Sequence, residues 1–302
     1  MSDPHGVAAI DIGTNSVRLL ITDAAGRERT RLMRMTRLGQ GVDVSGVLAM
    51  DAIARTVAVL SDYAQLIHEH DVKGVRAVAT SAARDAQNGD VFFDAAEAAL
   101  GFRPELLSGD AEARLSFRGA TDGLDRDGAP FLVIDLGGGS TEFVLGRDQP
   151  DAAISVQLGC VRMTERHLRT DPPTDAELRA CASDVRLELA RVREVIDVSV
   201  ARTVVGLAGT VTALSAMQLG LTTYDATRTH HSRLSAAHIA ASSARLARAT
   251  IAERRPMLAE PARAEVIVGG ALVLSTIMEE LGLNELLVSE RDILDGLAAS
   301  LR

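Results

Sequence analysis

The sequence predicts an α/β fold built twice, as two domains of one design. Three observations carry this. Phe131-Leu132-Val133-Ile134 is a short apolar run with β-branched and aromatic residues, ended by Asp135, the glycines Gly137, Gly138 and Gly139, the hydroxyls of Ser140 and Thr141, and a returning alternation through Leu145. The same pattern stands 124 positions earlier, where Val7 to Ile10 lead into Asp11, Gly13, Thr14, Asn15, Ser16 and Arg18. Between and after the copies, strand-like runs alternate with helical periodicity, as α/β domains do.

Each hairpin places a carboxylate where a strand ends, then a turn without Cβ atoms whose N–H groups can approach a ligand closely. Added hydroxyls make a phosphate cradle, and the carboxylate makes room for a metal ion. Either copy alone also reads as an ordinary glycine-rich hairpin; the repetition favours phosphate. Arg18 of the first copy falls on Glu142 of the second. The doubled pattern resembles the actin, sugar kinase and Hsp70 chaperone superfamily.

Composition narrows the class. With 302 residues the chain suits two domains with real cores, and 47% hydrophobic residues describe an ordinary globular protein. The net charge of −9 argues against nucleic-acid binding through a basic surface, so a polyanionic substrate needs local arginines, backbone amides and a divalent cation. Cys160 and Cys181 fit no metal or redox spacing, which points to a reducing cytoplasm. The first six residues carry no signal-peptide pattern, and the longest apolar run, Val266 to Leu274, is too short to span a membrane.

After the first hairpin, Arg37 to Val42 is a glycine-punctuated loop. Residues 51–68 follow as a helix with Ile53, Val57, Leu60, Ala64 and Ile67 on one face. His70-Asp71 suggests a metal site, but it has no second ligand set, and a solvated helix end is favoured. Val75 to Ala79 is a strand leading into Thr80-Ser81 and Arg84. That arrangement suits either an anion at a helix start or a capped helix with a surface arginine. A helix over 91–100 and a short strand at 105–107 precede a helix opened by Ser108 or Asp110, with Glu112 in its first turn. On its own Glu112 reads as a carboxylate complementing the helix dipole.

The polar stretch Thr121 to Ala129 marks the domain boundary, giving domains of residues 1–126 and 127–302, with the last helix free to return to the first domain. The second domain continues with a strand at 154–158, a helix through His167, a break at Asp171-Pro172-Pro173 and a long helix over 175–196. Thr203 to Thr212 is strand, glycine turn and helix; Gly206, Gly209 and Thr210 read as a weak nucleotide site or as a tight turn. His230-His231 read as loop histidines. A helix from Arg263, a strand at 286–289 and a helix over 293–301 complete the chain.

Taken together, Asp11 to Arg18, Ala79 to Arg84, Ser108 to Arg114, Asp135 to Glu142 and Gly206 to Thr210 resemble the exopolyphosphatase/guanosine pentaphosphate phosphohydrolase (Ppx/GppA) family, in particular its short two-domain actinobacterial members. The resemblance implies two actin-like, ribonuclease H-like (ASKHA) domains with the active site in a cleft between them. It implies Glu112 as catalytic base, phosphate binding by Asp11, Gly13, Thr14, Asn15, Ser16, Arg18, Arg84, Gly137, Gly138, Gly139, Ser140 and Thr141, and Mg2+ held at Asp135 and Glu142. Ala111 stands where the family is often acidic, which implies weaker metal affinity. Longer members carry a further helical domain for which a chain ending at Arg302 has no room. The expected activity is release of orthophosphate from inorganic polyphosphate. The alternatives are hydrolysis of guanosine pentaphosphate and non-catalytic sensing of guanosine penta- or tetraphosphate. A sugar kinase would need a sugar-binding insertion that the sequence does not show. Expected partners are these phosphates and a second copy in a homodimer, with no nucleic acid and no membrane.

Overall fold

The structure is a computed structural model that describes residues 5–70 and 72–302; Asp71 of the His70-Asp71 pair lies outside the described residues. The chain divides into two compact units, Met1–Gly119 with Asp292–Arg302, and Ala120–Arg291. The second unit begins at Ala120, a little before the boundary expected from the Thr121 to Ala129 stretch. The helix that opens with Glu112 in its first turn runs on to Thr121, so the polar stretch follows the division rather than making it.

In the first unit the strands are β1 (Val7–Ile12), β2 (Ser16–Thr22), β3 (Glu28–Met35), β4 (Gly74–Ala79) and β5 (Glu105–Leu106). The helices are α1 (Val42–Ser45), α2 (Met50–Glu69), α3 (Ser81–Asp85), α4 (Gly89–Leu100) and α5 (Gly109–Thr121). The sheet runs β3-β2-β1-β4-β5, antiparallel across β3, β2 and β1 and parallel from β1 through β4 to β5. The two-residue period of a strand separates its faces. Ala8, Ile10 and Ile12 of β1 join Leu60 and Tyr63 of α2 in one core. Val7, Ala9 and Leu20 point the other way, against the C-terminal helix.

The second unit contains β6 (Phe131–Leu136), β7 (Thr141–Gly146), β8 (Pro150–Val156), α6 (Cys160–His167) and α7 (Asp175–Val195). There follow β9 (Thr203–Leu207), α8 (Gly209–Gln218), α9 (Ala226–Thr229), β10 (Arg233–Ser235) and α10 (Ala236–Ala247). The unit ends with α11 (Ile251–Arg254), α12 (Ile267–Glu280) and β11 (Glu285–Val288). Its sheet order is β10-β11-β9-β6-β7-β8. With β10 set aside as an added antiparallel edge, β8-β7-β6-β9-β11 repeats the order and strand directions of the first unit. The duplication read from the two hairpins is therefore a duplication of whole sheets. The last helix, α13 (Ile293–Ser300), belongs to the first unit and covers the free face of its sheet.

Candidate active site

The two hairpins are built alike. In the first, Asp11 stands opposite Arg18 in the β1–β2 ladder, and the Gly13 N–H donates to the Ser16 carbonyl at 3.0 Å. In the second, Asp135 stands opposite Glu142, and the Gly137 N–H donates to the Ser140 carbonyl at 3.0 Å. Added Cβ atoms on Gly13 and Gly137 would stand 3.3 and 3.2 Å from those same carbonyls, closer than a side chain normally sits.

Neighbouring segments shape each turn. The Asn15 carbonyl accepts N–H groups from Thr36 (3.1 Å) and Arg37 (2.9 Å), and the Gly39 N–H donates to the Thr14 carbonyl at 2.9 Å. The loop after β3 therefore straps the first turn down, with Arg37 held at φ 54°. At the second turn the N-terminus of α6 does the same work. The N–H groups of Cys160 and Val161 donate to the carbonyls of Gly137 (3.0 Å) and Gly138 (2.9 Å), and Arg162 Nε donates to the Gly139 carbonyl at 2.6 Å. With the loop carbonyls engaged by α6, the triglycine turn is fixed by its own unit. The sequence alone did not single out Arg162. Thr141 is fully buried and its hydroxyl donates to the Leu158 carbonyl, so it anchors β7 to the chain after β8.

The carboxylates are all withdrawn from water. Asp11, Asp135 and Glu142 are 3%, 8% and 1% exposed. Glu142 Oε1 accepts the Ser155 hydroxyl at 2.7 Å. Asp11 Oδ2 accepts Arg18 Nε at 3.0 Å and Nη2 at 2.6 Å, whereas its Oδ1 is buried without a hydrogen-bond partner. Burial raises the Asp11 pKa above its usual value, against the pull of Arg18. Arg18 Nη1 also donates to Asp292, so the predicted phosphate-binding arginine sits between two carboxylates.

Glu112 is 9% exposed. The Ser108 hydroxyl, rather than Asp110, accepts from the N–H at the helix start (Ala111, 3.2 Å), while Asp110 forms a surface pair with Arg114. Arg84 Nη1 donates to Glu112 Oε2 at 3.1 Å and to the Leu107 carbonyl at 3.0 Å. Two residues picked out separately in the sequence thus form one part-buried pair, while Glu112 keeps its place in the first turn of α5, where a carboxylate also complements the helix dipole.

Gly206, Gly209 and Thr210 carry close packing. A Cβ on Gly206 would meet the Leu286 methyls, one on Gly209 would overlap the Arg263 guanidinium, and Thr210 lies against Gly270 of α12. Between them Ala208 has φ 71° and ψ 174°, a region almost reserved for glycine and costing about 1–3 kcal/mol. β9 is the parallel neighbour of β6, with Leu207 beside Asp135, so this turn and the triglycine turn leave adjacent strand ends. Elsewhere, the His230 and His231 rings stack at 3.8 Å, and the Glu290 N–H donates to His230 Nδ1 at 3.1 Å, a structural arrangement.

No group of three or more His, Cys, Asp and Glu able to hold a metal occurs among the described residues. Magnesium needs less: one or two carboxylates, waters and the substrate's phosphate oxygens. The carboxylates of Asp135 and Glu142, opposite each other in the β6–β7 ladder, are hard oxygen donors of that kind. No described helix is long and apolar enough to cross a membrane.

The fold is thus a duplicated α/β fold with a carboxylate and a hydroxyl-bearing glycine turn at matching strand ends. The Ppx/GppA phosphatase family matches residues 27–301, and the chain belongs to that family. It is 49% identical to exopolyphosphatase 2 of Mycobacterium tuberculosis over 98% of both chains. It is 30% identical over 70% of its length to the guanosine-5'-triphosphate,3'-diphosphate pyrophosphatase of Aliivibrio fischeri, of which the match spans 43%. The crystal structure of an exopolyphosphatase-like protein superposes with a TM-score of 0.94 at 40% identity, covering 97% of this chain and 98% of that one.

Proposed function

We propose that the protein is an exopolyphosphatase that removes orthophosphate from the end of inorganic polyphosphate. The observation that carries this is near-full-length similarity to a protein of that name, 49% identical across 98% of both chains. Phosphoryl transfer demands positioning and neutralisation of charge more than covalent chemistry. In this reading the amides and hydroxyls of the Gly13–Ser16 turn bind phosphate, as do those of the Gly137–Ser140 turn. Glu112, steadied by Arg84, accepts a proton from a water whose oxygen attacks the terminal phosphorus. The bridging P–O bond breaks as the new one forms, and the shortened chain leaves with the bridging oxygen. Magnesium, held by Asp135 and Glu142, would neutralise charge on the phosphate oxygens. Two buried free cysteines suit a reducing cytoplasm.

Hydrolysis of guanosine pentaphosphate is the second reading, favoured by the Aliivibrio relative and by the Ala208–Gly209 turn beside the triglycine turn. A binding-only sensor would have no use for a carboxylate at Glu112. Steady-state phosphate release from short polyphosphate and from guanosine pentaphosphate, measured side by side with and without EDTA, tests the proposal. Faster turnover of polyphosphate that chelation abolishes is expected. Preference for the nucleotide would replace the substrate, and EDTA-resistant activity would remove the metal.

A further inference from the structure

We propose that Asp292 is a positioning residue of the first phosphate hairpin, acting through Arg18 on Asp11; the inference rests on the reading that this hairpin binds phosphate. A carboxylate at the end of a strand can turn about its last bond and present either oxygen. Here the Arg18 guanidinium takes Asp11 Oδ2 through both Nε (3.0 Å) and Nη2 (2.6 Å), which leaves Oδ1 as the buried oxygen without a partner. Arg18 is itself a long, flexible side chain, and its far corner, Nη1, is fixed by Asp292.

Asp292 is in turn held more firmly than a helix cap requires. One oxygen accepts the Leu294 N–H at 2.9 Å, which caps α13. Its own N–H donates to Asp295 Oδ2 at 3.1 Å, and the residue is 6% exposed. Its backbone lies flush on Gly119 of α5, where a Cβ would overlap the Asp292 carbonyl. Capping uses one oxygen, and Asn or Ser would cap about as well. The second oxygen, spent on Arg18, is what capping leaves unexplained. One guanidinium between two carboxylates is already neutralised, so Arg18 suits orienting Asp11 better than serving as a free cation for the substrate.

The test is a double-mutant cycle of Arg18→Lys and Asp292→Asn in the full chain. It reads KM and kcat on short polyphosphate, Kd for inorganic tripolyphosphate with magnesium, and urea unfolding. Asp292→Asn keeps the cap, so the urea midpoint stays nearly unchanged while KM and Kd rise about 10-fold, the scale of one lost charge-assisted hydrogen bond, with kcat within about twofold. The double variant should bind no more weakly than Arg18→Lys alone, because both changes act through one contact. Gly119→Ala, which displaces Asp292 without touching any carboxylate, should raise KM in the same direction. Additive effects on affinity, or a change in stability alone, would overturn the inference. Tripolyphosphate binding without turnover would sink the proposed reaction while the cycle in Kd still judges Asp292. A wild-type chain that binds no tripolyphosphate would sink both.

Discussion

Glu112→Gln keeps the size of the side chain and an oxygen for Arg84 but removes the group that takes a proton. If Glu112 is the base, kcat falls about 100-fold or more while KM for polyphosphate stays within a few-fold. Near-normal kcat would move the role to another carboxylate. Asp11 makes a prediction of opposite sign for stability. Its pKa is raised above 3.8, chiefly by burial, so the native state favours the protonated form. The stability this contributes is complete in acid and is lost as pH rises through the elevated pKa. Asp11→Asn mimics the neutral form and leaves Arg18 its bond to Asp292. Melting curves should therefore show a higher Tm for the variant at pH 7 and a gap that closes towards pH 4, with activity lost throughout. A lower Tm at pH 7 would mean that the ion pair with Arg18 outweighs burial.

At the scale of elements, α13 is the piece whose place matters most. Ile293, Leu294, Leu297 and Ala298 fill the face of the first sheet opposite α2, and Leu297 is fully buried. Leu297→Ala should cost about 2–5 kcal/mol in urea unfolding, the usual range for a core Leu→Ala change; a loss under about 1 kcal/mol would show that the helix is dispensable to the first unit. The helix itself was legible in the sequence, as were both hairpins, α2 and α7, because their apolar periodicity is strong. β3 was not: Glu28, Arg29, Arg31 and Arg34 make it a charged edge strand, half exposed and without a clean alternation. α10 was missed because its buried face carries only two large apolar residues, Ile239 and Leu246, among alanines and serines. At the candidate site, local motifs singled out Asp11, Glu112 and the glycine turns. Arg162 and Asp292 stayed hidden because their partners, Gly139 and Arg18, are distant in sequence and no local pattern ties them together.

At the scale of the whole molecule, an acidic protein is set to bind a polyanion. The net charge of −9 repels polyphosphate at long range, whereas the contacts proposed at the turns act within a few ångströms. Salt separates the two contributions. Raising monovalent salt from about 0.01 M to 0.1 M shortens the Debye length from about 30 Å to about 10 Å. That screens the overall repulsion strongly and the short contacts much less. With magnesium held constant and saturating, kcat/KM for short polyphosphate should therefore rise, or at least hold, across this range, with the change carried by KM. A chain that captured polyphosphate on an extended basic surface would do the reverse, losing affinity steeply as its charge pairs were screened. A steep fall in kcat/KM would thus reveal a basic track that the net charge conceals, and would transfer substrate capture from the two hairpins to that surface.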